Sequence, residues 1–311
     1  MRKPEALPAE LLALPAELLA LPAGPRGRFA PSPTGNLHFG SLVAALGSWL
    51  HARSGQGRWI VRMEDIDSTR SVPGAGENIL ATLAAFGLES DEPVAWQSQR
   101  LDLYEAAFAR LQALGAVYPC HCSRSDLAAC NGIHPHACLR SADSSAPAWR
   151  VRVADREISF TDRICARFNQ RLDREVGDFV VRRADGLFTY QLVVVVDDAA
   201  QGISEVVRGA DLLDSTPRQI HLQELLGLPT PGYLHLPLVL DPSGRKLSKQ
   251  EQARPVDAGD PLPALHAALA FLGQRAPASK RVDALLREAV HAFDIDAIPA
   301  RPLAHAAMRK D

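Results

Sequence analysis

Two separated segments of this 311-residue chain hold residue types suited to phosphate chemistry: GRFAPSPTGNLHFGS at 27–41 and GRKLSKQ at 244–250. A helix that begins just after a glycine loop offers unpaired backbone N–H groups and a positive dipole end, a natural seat for phosphate. His38 stands at that helix start as an extra donor, and Gly35 and Gly40 keep the backbone approachable. Lys246 and Lys249 lie on a basic loop able to swing two point charges onto a triphosphate and stabilise pyrophosphate as it departs. The chemistry these types imply is adenylyl transfer.

A third group has metal-ligand spacing. Cys120-x-Cys122 is followed after eleven residues by His134 and after three more by Cys138, a set that can close a tetrahedron around zinc. His121, Cys130 and His136 compete for individual ligand positions. The cysteines are five in number, the fifth being Cys165, and such an odd, clustered set suits metal in a reducing cytoplasm better than a disulfide framework.

The elements that must position these groups follow from periodicity. Residues 26–30 read as a strand, PSPTGN as a loop, and an apolar helical pattern runs from about Leu37 to His51. A second strand at 57–65 and helices at 77–88 and 101–114 continue the alternation, which implies a parallel α/β sheet. Residues 119–148 break the rhythm as an insertion. Further on come a hairpin turn at Ala184-Asp185-Gly186, an all-valine run Val193–Val196 expected as a strand buried on both faces, and a helix within 209–227. The strand LHLPLVL then leads into the basic loop, and the 57 residues beyond Arg254 hold two or three short helices.

A 47% hydrophobic composition suffices for a full core, and a formal net charge of −2 argues against coating nucleic acid by bulk charge, so any RNA contact is local. LPAELLA occurs at 7–13 and again at 14–20; its glutamates and prolines break any secretory signal, and the segment is expected to be loosely ordered. No stretch reaches the ~18 apolar residues of a membrane span, so no membrane partner is expected.

Taken together, the motifs resemble the class I aminoacyl-tRNA synthetases. Their two signatures, HIGH and KMSKS, are matched by His38-Phe39-Gly40-Ser41 and Lys246-Leu247-Ser248-Lys249-Gln250. RFAPSPTG, Met63-Glu64-Asp65-Ile66-Asp67, Gln97-Ser98-Gln99-Arg100 and the stretch Val206 to Leu213 look like bacterial glutamyl-tRNA synthetase, over about residues 26 to 260. The resemblance implies a Rossmann-type parallel sheet with a zinc-containing insertion and a small helical C-terminal region. It divides the chain into an extension (1–25), two catalytic halves (26–118 and 177–254), the cysteine-rich insertion with its acceptor-type subdomain (119–176) and a short helical end (255–311).

Position by position, the resemblance assigns L-glutamate to Arg28, Phe29, Ala30, Pro31 and Ser32 of the first loop, with Glu64, Tyr190 and Arg208. The types agree: a carboxylate for the substrate ammonium, guanidinium forks for its carboxylates, and a hydroxyl wall. ATP, with Mg²⁺, is assigned to His38, Gly40, Ser41, Lys246 and Lys249, and His38, Lys246 and Lys249 are the expected catalytic groups. Glu64 could instead pair locally with Arg62, and Asp65 and Asp67 read as loop caps rather than a metal pair.

Among the relatives the short glutamyl-Q tRNA(Asp) synthetases fit better still, because they have Cys-x-Cys, eleven residues, Tyr, three residues, Cys where this chain has its metal pattern. In addition, 57 residues after Arg254 are too few for an anticodon-reading domain. The implied reaction is tRNA-independent formation of glutamyl-adenylate, then transfer to a hydroxyl of the cyclopentenediol ring of queuosine in tRNA-Asp, by a cytoplasmic monomer. Nine arginines against six acids between Arg150 and Arg183 suit either a phosphate-contacting face or an ordinary surface. Ser41 and Gln250 depart from the signatures but keep hydrogen-bonding groups. Two rivals are a stripped glutamyl-tRNA synthetase charging tRNA-Glu and an inactive RNA-binding paralogue. The latter predicts damage among Arg28, Glu64, Tyr190, Arg208 and Lys249, all intact.

Overall fold

The structure is a computed structural model that describes residues 24–135, 137–141, 145–153, 155–240 and 255–300. The LPAELLA repeat, the competitor ligand His136 and the loop carrying Lys246, Lys249 and Gln250 lie outside the described residues.

In chain order the elements are β1 (Arg26–Phe29), α1 (Phe39–Ser54), β2 (Arg58–Met63), α2 (Ala75–Ala85), β3 (Ala95–Trp96), α3 (Leu101–Ala113) and β4 (Val117–Cys120). Next come β5 (Ala148–Val151), β6 (Glu157–Asp162), β7 (Ala166–Arg171), α4 (Leu172–Glu175), β8 (Phe179–Arg182) and α5 (Tyr190–Ala200). The described chain closes with β9 (Glu205–Gly209), α6 (Thr216–Leu226), β10 (Gly232–Leu236), α7 (Pro261–Phe271) and α8 (Val282–His291). The last two are the expected short helices after Arg254.

Strands β1, β2 and β3 pair in parallel, and β10 pairs in parallel with both β9 and β6, with β7 antiparallel at the far edge. β9 runs beside β1, where the Ser204 N–H donates to the Arg26 carbonyl at 3.1 Å. The layer therefore reads β3-β2-β1-β9-β10-β6-β7, and the chain leaves β1 towards β2 on one side while β9 and β10 lie on the other. In such open sheets ligands bind at the carboxyl ends of the strands where the order reverses.

Alternation along β2 feeds two cores. Trp59, Val61 and Met63 join Leu42, Leu46 and Leu50 of α1, Ile79 of α2, Leu269 of α7 and Leu285 of α8. Ile60 joins Tyr104 and Phe108 of α3, the valines of α5 and Ile220 of α6 on the opposite face. Helices thus cover both faces, as a parallel sheet requires. Strands β4, β5 and β8 form a separate antiparallel sheet beside the second core.

The valine run is a correction. Val193–Val196 lie in helix α5, not in a strand, and all four are buried. Packed among α3, α6 and the sheet, this helix is buried from Leu192 to Ala199, Asp197 and Asp198 included, and burial outweighs the strand preference of β-branched residues.

Candidate active site and metal centre

The carboxyl ends of β1, β2, β9 and β10 meet around two neighbouring cavities. The larger, about 360 Å³, is lined by Phe29, Ala30, Pro31, Thr34, His38, Gly40 and Ser41 on one side and by Gly209, Asp211, Leu212 and Leu236 to Val239 on the other. The smaller, about 170 Å³, is lined by Glu64, Asp67, Gln97, Arg183, Phe188, Tyr190 and Val193 among others. Ser32 lines both. A nucleotide-sized space thus adjoins an amino-acid-sized one, with the first loop as the shared wall.

His38 is the N-cap of α1: its Nδ1 accepts from the Ser41 amide at 3.2 Å, and its Nε2 lies 3.1 Å from the Ser41 hydroxyl. With Nδ1 accepting, the neutral ring carries its proton on Nε2. A Cβ at position 40 would approach the His38 ring to 3.2 Å, so Gly40 leaves the ring its room. The Leu37 carbonyl takes the Val256 N–H at 3.0 Å, and His38 bridges Pro255, so the chain returns from the basic loop directly beside the helix start.

Behind the smaller cavity lies a buried network of charges. Arg28 donates from Nε to Asp198 Oδ1 at 3.1 Å and from Nη1 to the Val207 carbonyl at 3.3 Å. Arg62, fully buried, pairs with Asp198 at 2.9 Å and lies 3.5 Å from Glu64 Oε1 and 3.6 Å from Asp197. Asp197 also accepts from Gln97, Arg100 and Tyr104. Burial pushes the Glu64 carboxyl up to about 7, against the opposing pull of Arg62 and Arg28. Arg208 donates from Nη1 to the Tyr190 hydroxyl at 3.2 Å and from Nη2 to Thr216 at 2.8 Å.

Of the residues singled out by sequence, Phe29, Ala30, Pro31, Ser32, His38, Gly40, Ser41, Glu64 and Tyr190 line the two cavities. Arg28 and Arg208 are buried one layer behind, bonded to Asp198 and to Tyr190. Asp65 and Asp67 are loop caps, accepting from Ser98 and Thr69. Sequence reasoning missed Asp197, Asp198, Asp162 and His235, whose partners are distant in the chain. Several arginines between 150 and 183 are already engaged: Arg150 is buried, while Arg156, Arg171, Arg182 and Arg183 pair with Glu224, Asp155, Glu105 and Asp67.

In the insertion, the ligand atoms of Cys120, Cys122, His134 and Cys138 all lie within 4.8 Å of one another. Cys130 is outside that group, and His121 is half-buried and faces Ser145. His134 turns Nε2 towards Cys120 Sγ at 3.3 Å, while its Nδ1 lies 3.0 Å from the Tyr118 hydroxyl, which donates to Asp178 at 2.6 Å. That arrangement leaves Nε2 as the lone-pair nitrogen facing the sulfurs, the tautomer a metal needs. Cys120 Sγ accepts from Arg150 Nε at 3.3 Å and Cys122 Sγ from the Leu139 amide at 3.2 Å, donors suited to thiolates. Gly177, at φ +69°, lets this chain lie against His134, whose backbone a Cβ would meet at 2.6 Å. The donor set therefore fits one tetrahedral, closed metal site.

Comparison with known proteins gives a consistent set of matches. The family described as "tRNA synthetases class I (E and Q), catalytic domain" matches residues 26–282. A glutamyl-Q tRNA(Asp) synthetase of Xanthomonas campestris pv. campestris (strain 8004) is 57% identical over 290 residues, 92% of this chain and 97% of that protein. One from Burkholderia cenocepacia (strain J2315) is 54% identical, over 88% of this chain and 96% of that protein. Among solved structures, a glutamate tRNA ligase from Elizabethkingia meningosepticum, in complex with its amino acid, superposes with a TM-score of 0.75 at 28% identity, covering 89% of this chain and 66% of that one. The chain thus spans about two thirds of that ligase.

Proposed function

The chain belongs to the class I tRNA synthetases (E and Q), within them to the glutamyl-Q tRNA(Asp) synthetases, and from that membership we propose that it activates L-glutamate with ATP, without tRNA, and transfers it to queuosine in tRNA-Asp. It is an enzyme of that family, and no described helix is long and apolar enough to cross a membrane.

The observation that carries the reading is the pair of cavities meeting at Ser32. Glutamate occupies the smaller one, its ammonium on Glu64 and its carboxylates reached by the N–H groups that Arg28 and Arg208 retain beyond their present bonds. ATP occupies the larger one, its phosphates at the start of α1 near His38, Gly40 and Ser41, with Lys246 and Lys249 closing from the loop. A substrate carboxylate oxygen attacks the α-phosphorus and the bond to pyrophosphate breaks. A queuosine hydroxyl then attacks the acyl carbon, AMP leaves, and the hydroxyl proton passes to solvent. Mg²⁺ enters bound to the nucleotide phosphates. Zinc on Cys120, Cys122, His134 and Cys138 is structural and holds the insertion in shape, and a reducing cytoplasm keeps its thiol ligands available. No step in this scheme calls on a residue from a second chain, and the proposed acting unit is a monomer.

The Glu64 carboxyl must be ionised to hold the substrate ammonium, and the empty site protonates as pH falls through about 7. The kcat/KM for glutamate is therefore expected to fall below that pH, approaching about tenfold per unit, and Glu64→Gln to lower it and flatten the profile. A profile for the parent enzyme that stays level from pH 8 to 6 contradicts the role given to Glu64.

RNA identity is tested with radiolabelled glutamate offered to queuosine-containing tRNA-Asp, queuosine-free tRNA-Asp and tRNA-Glu. Label on the first alone is expected. Label at the 3′ end of tRNA-Glu would replace this reading with a tRNA-charging synthetase.

A further inference from the structure

A chain of buried polar groups runs from β6 to the wall of the smaller cavity, and its first two members, Asp162 and His235, belong to none of the family motifs matched above. Asp162, at the end of β6, and His235, in β10, are 1% and 0% exposed. Asp162 Oδ1 accepts from the backbone of Ile164 at 2.9 Å, Cys165 at 2.7 Å and His235 at 3.3 Å, and its Oδ2 lies 2.6 Å from His235 Nδ1. His235 Nε2 lies 3.1 Å from Arg208 Nε, and Arg208 Nη1 reaches the Tyr190 hydroxyl at the cavity.

The direction of every bond in this chain is fixed by chemistry. A guanidinium only donates, so His235 Nε2 must accept and cannot carry a proton. The neutral ring then has its proton on Nδ1, donated to Asp162, a carboxylate fixed by three backbone N–H groups. Burial and the neighbouring Arg208 cation both oppose a charge on the ring, although Asp162 favours one. Tyr233 stacks on the imidazole, with centroids 6.2 Å apart and planes 13° from parallel, and the Arg208 guanidinium lies over the Tyr233 ring at 5.6 Å. The imidazole therefore has little rotational freedom.

We propose that Asp162 and His235 are a positioning pair for glutamate selection: Asp162 fixes the His235 tautomer, and the lone pair so presented fixes the Arg208 fork against Tyr190. This rests on the assignment of Arg208 to the substrate carboxylate. Neither residue touches substrate. Their effect reaches glutamate through the orientation of one guanidinium, and ATP binding lies outside it.

The test measures KM for glutamate and for ATP separately, by glutamate-dependent pyrophosphate exchange, in His235→Phe, His235→Gln, Asp162→Asn and Arg208→Lys. His235→Phe and Asp162→Asn are expected to raise KM for glutamate by about tenfold or more, with KM for ATP within about twofold of the parent. His235→Gln, whose Oε1 can still accept from Arg208, restores most of the loss. If Arg208→Lys raises KM for glutamate while His235→Phe and Asp162→Asn leave it unchanged, the positioning pair is refuted and the Arg208 assignment stands. An Arg208→Lys enzyme with parental KM refutes the assignment itself. Should His235→Phe fail to fold, ¹⁵N spectra of the parent decide: His235 protonated on Nδ1 alone is expected, and a proton on Nε2 overturns the proposal.

Discussion

Cys122→Ala enzyme is expected to purify without its metal and with a molten insertion, while Cys130→Ala keeps one zinc per chain. Among the described residues the local apolar cluster is Cys120, Cys122 and Leu127 with Tyr118 against it, far too small to order the segment unaided. Zinc on three thiolates and a histidine can supply on the order of 10 kcal/mol. Losing it should free hydrogen exchange across residues 117–139, while β1, β2 and β9, with their own core, stay protected. Metal content and exchange mapping check this together. Stoichiometric zinc in Cys122→Ala, or its loss in Cys130→Ala, contradicts the ligand set.

The second large effect is expected at Asp198→Ala, which removes a shared carboxylate from two buried arginines. Arg62 is 0% and Arg28 3% exposed, and both give their hydrogen bonds or ion pairs to the Asp198 carboxylate. Breaking a buried pair from one side costs about 3–5 kcal/mol where it leaves a charge uncompensated; Arg28 loses its carboxylate partner outright, while Arg62 keeps Glu64 and Asp197 at 3.5 and 3.6 Å. Thermal or denaturant unfolding should register that loss, and glutamate activation should fall because Arg28 and Glu64 share the network. Burial works against the Asp198 charge, but Arg28 and Arg62 hold its carboxyl below the usual range. Its contribution is thus present above the ordinary carboxylate pKa and is lost only as pH falls through the depressed value. Unchanged stability in Asp198→Ala would show that the network is not holding the first loop.

What could be read from sequence was what is local in sequence. The first loop, His38 and Glu64 sit in short contiguous motifs, and the four candidate metal ligands that the structure brings together fall within residues 120–138, so residue type and spacing sufficed to single them out. The strands and helices up to α3 were legible for the same reason, apart from the two-residue strand β3, too short to show a period. The valine run was not, since four consecutive buried apolar residues fit either a central strand or a helix covered on all sides, and only the packing of α3 and α6 decides. Asp198 and His235 gave no signal because their partners, Arg28 and Asp162, are 170 and 73 residues away. The charges that tune the cavity are contributed by β1, β2, β9 and α5, elements that become neighbours only when the sheet is assembled.

The central claim is that glutamate and ATP meet at Ser32 and react there before any RNA arrives. Glutamate-dependent exchange of radiolabelled pyrophosphate into ATP, with metal-replete enzyme and no tRNA, measures that step directly. The account predicts exchange that requires glutamate and collapses in Lys249→Ala. Exchange that is absent without tRNA and appears only on adding it would contradict the account.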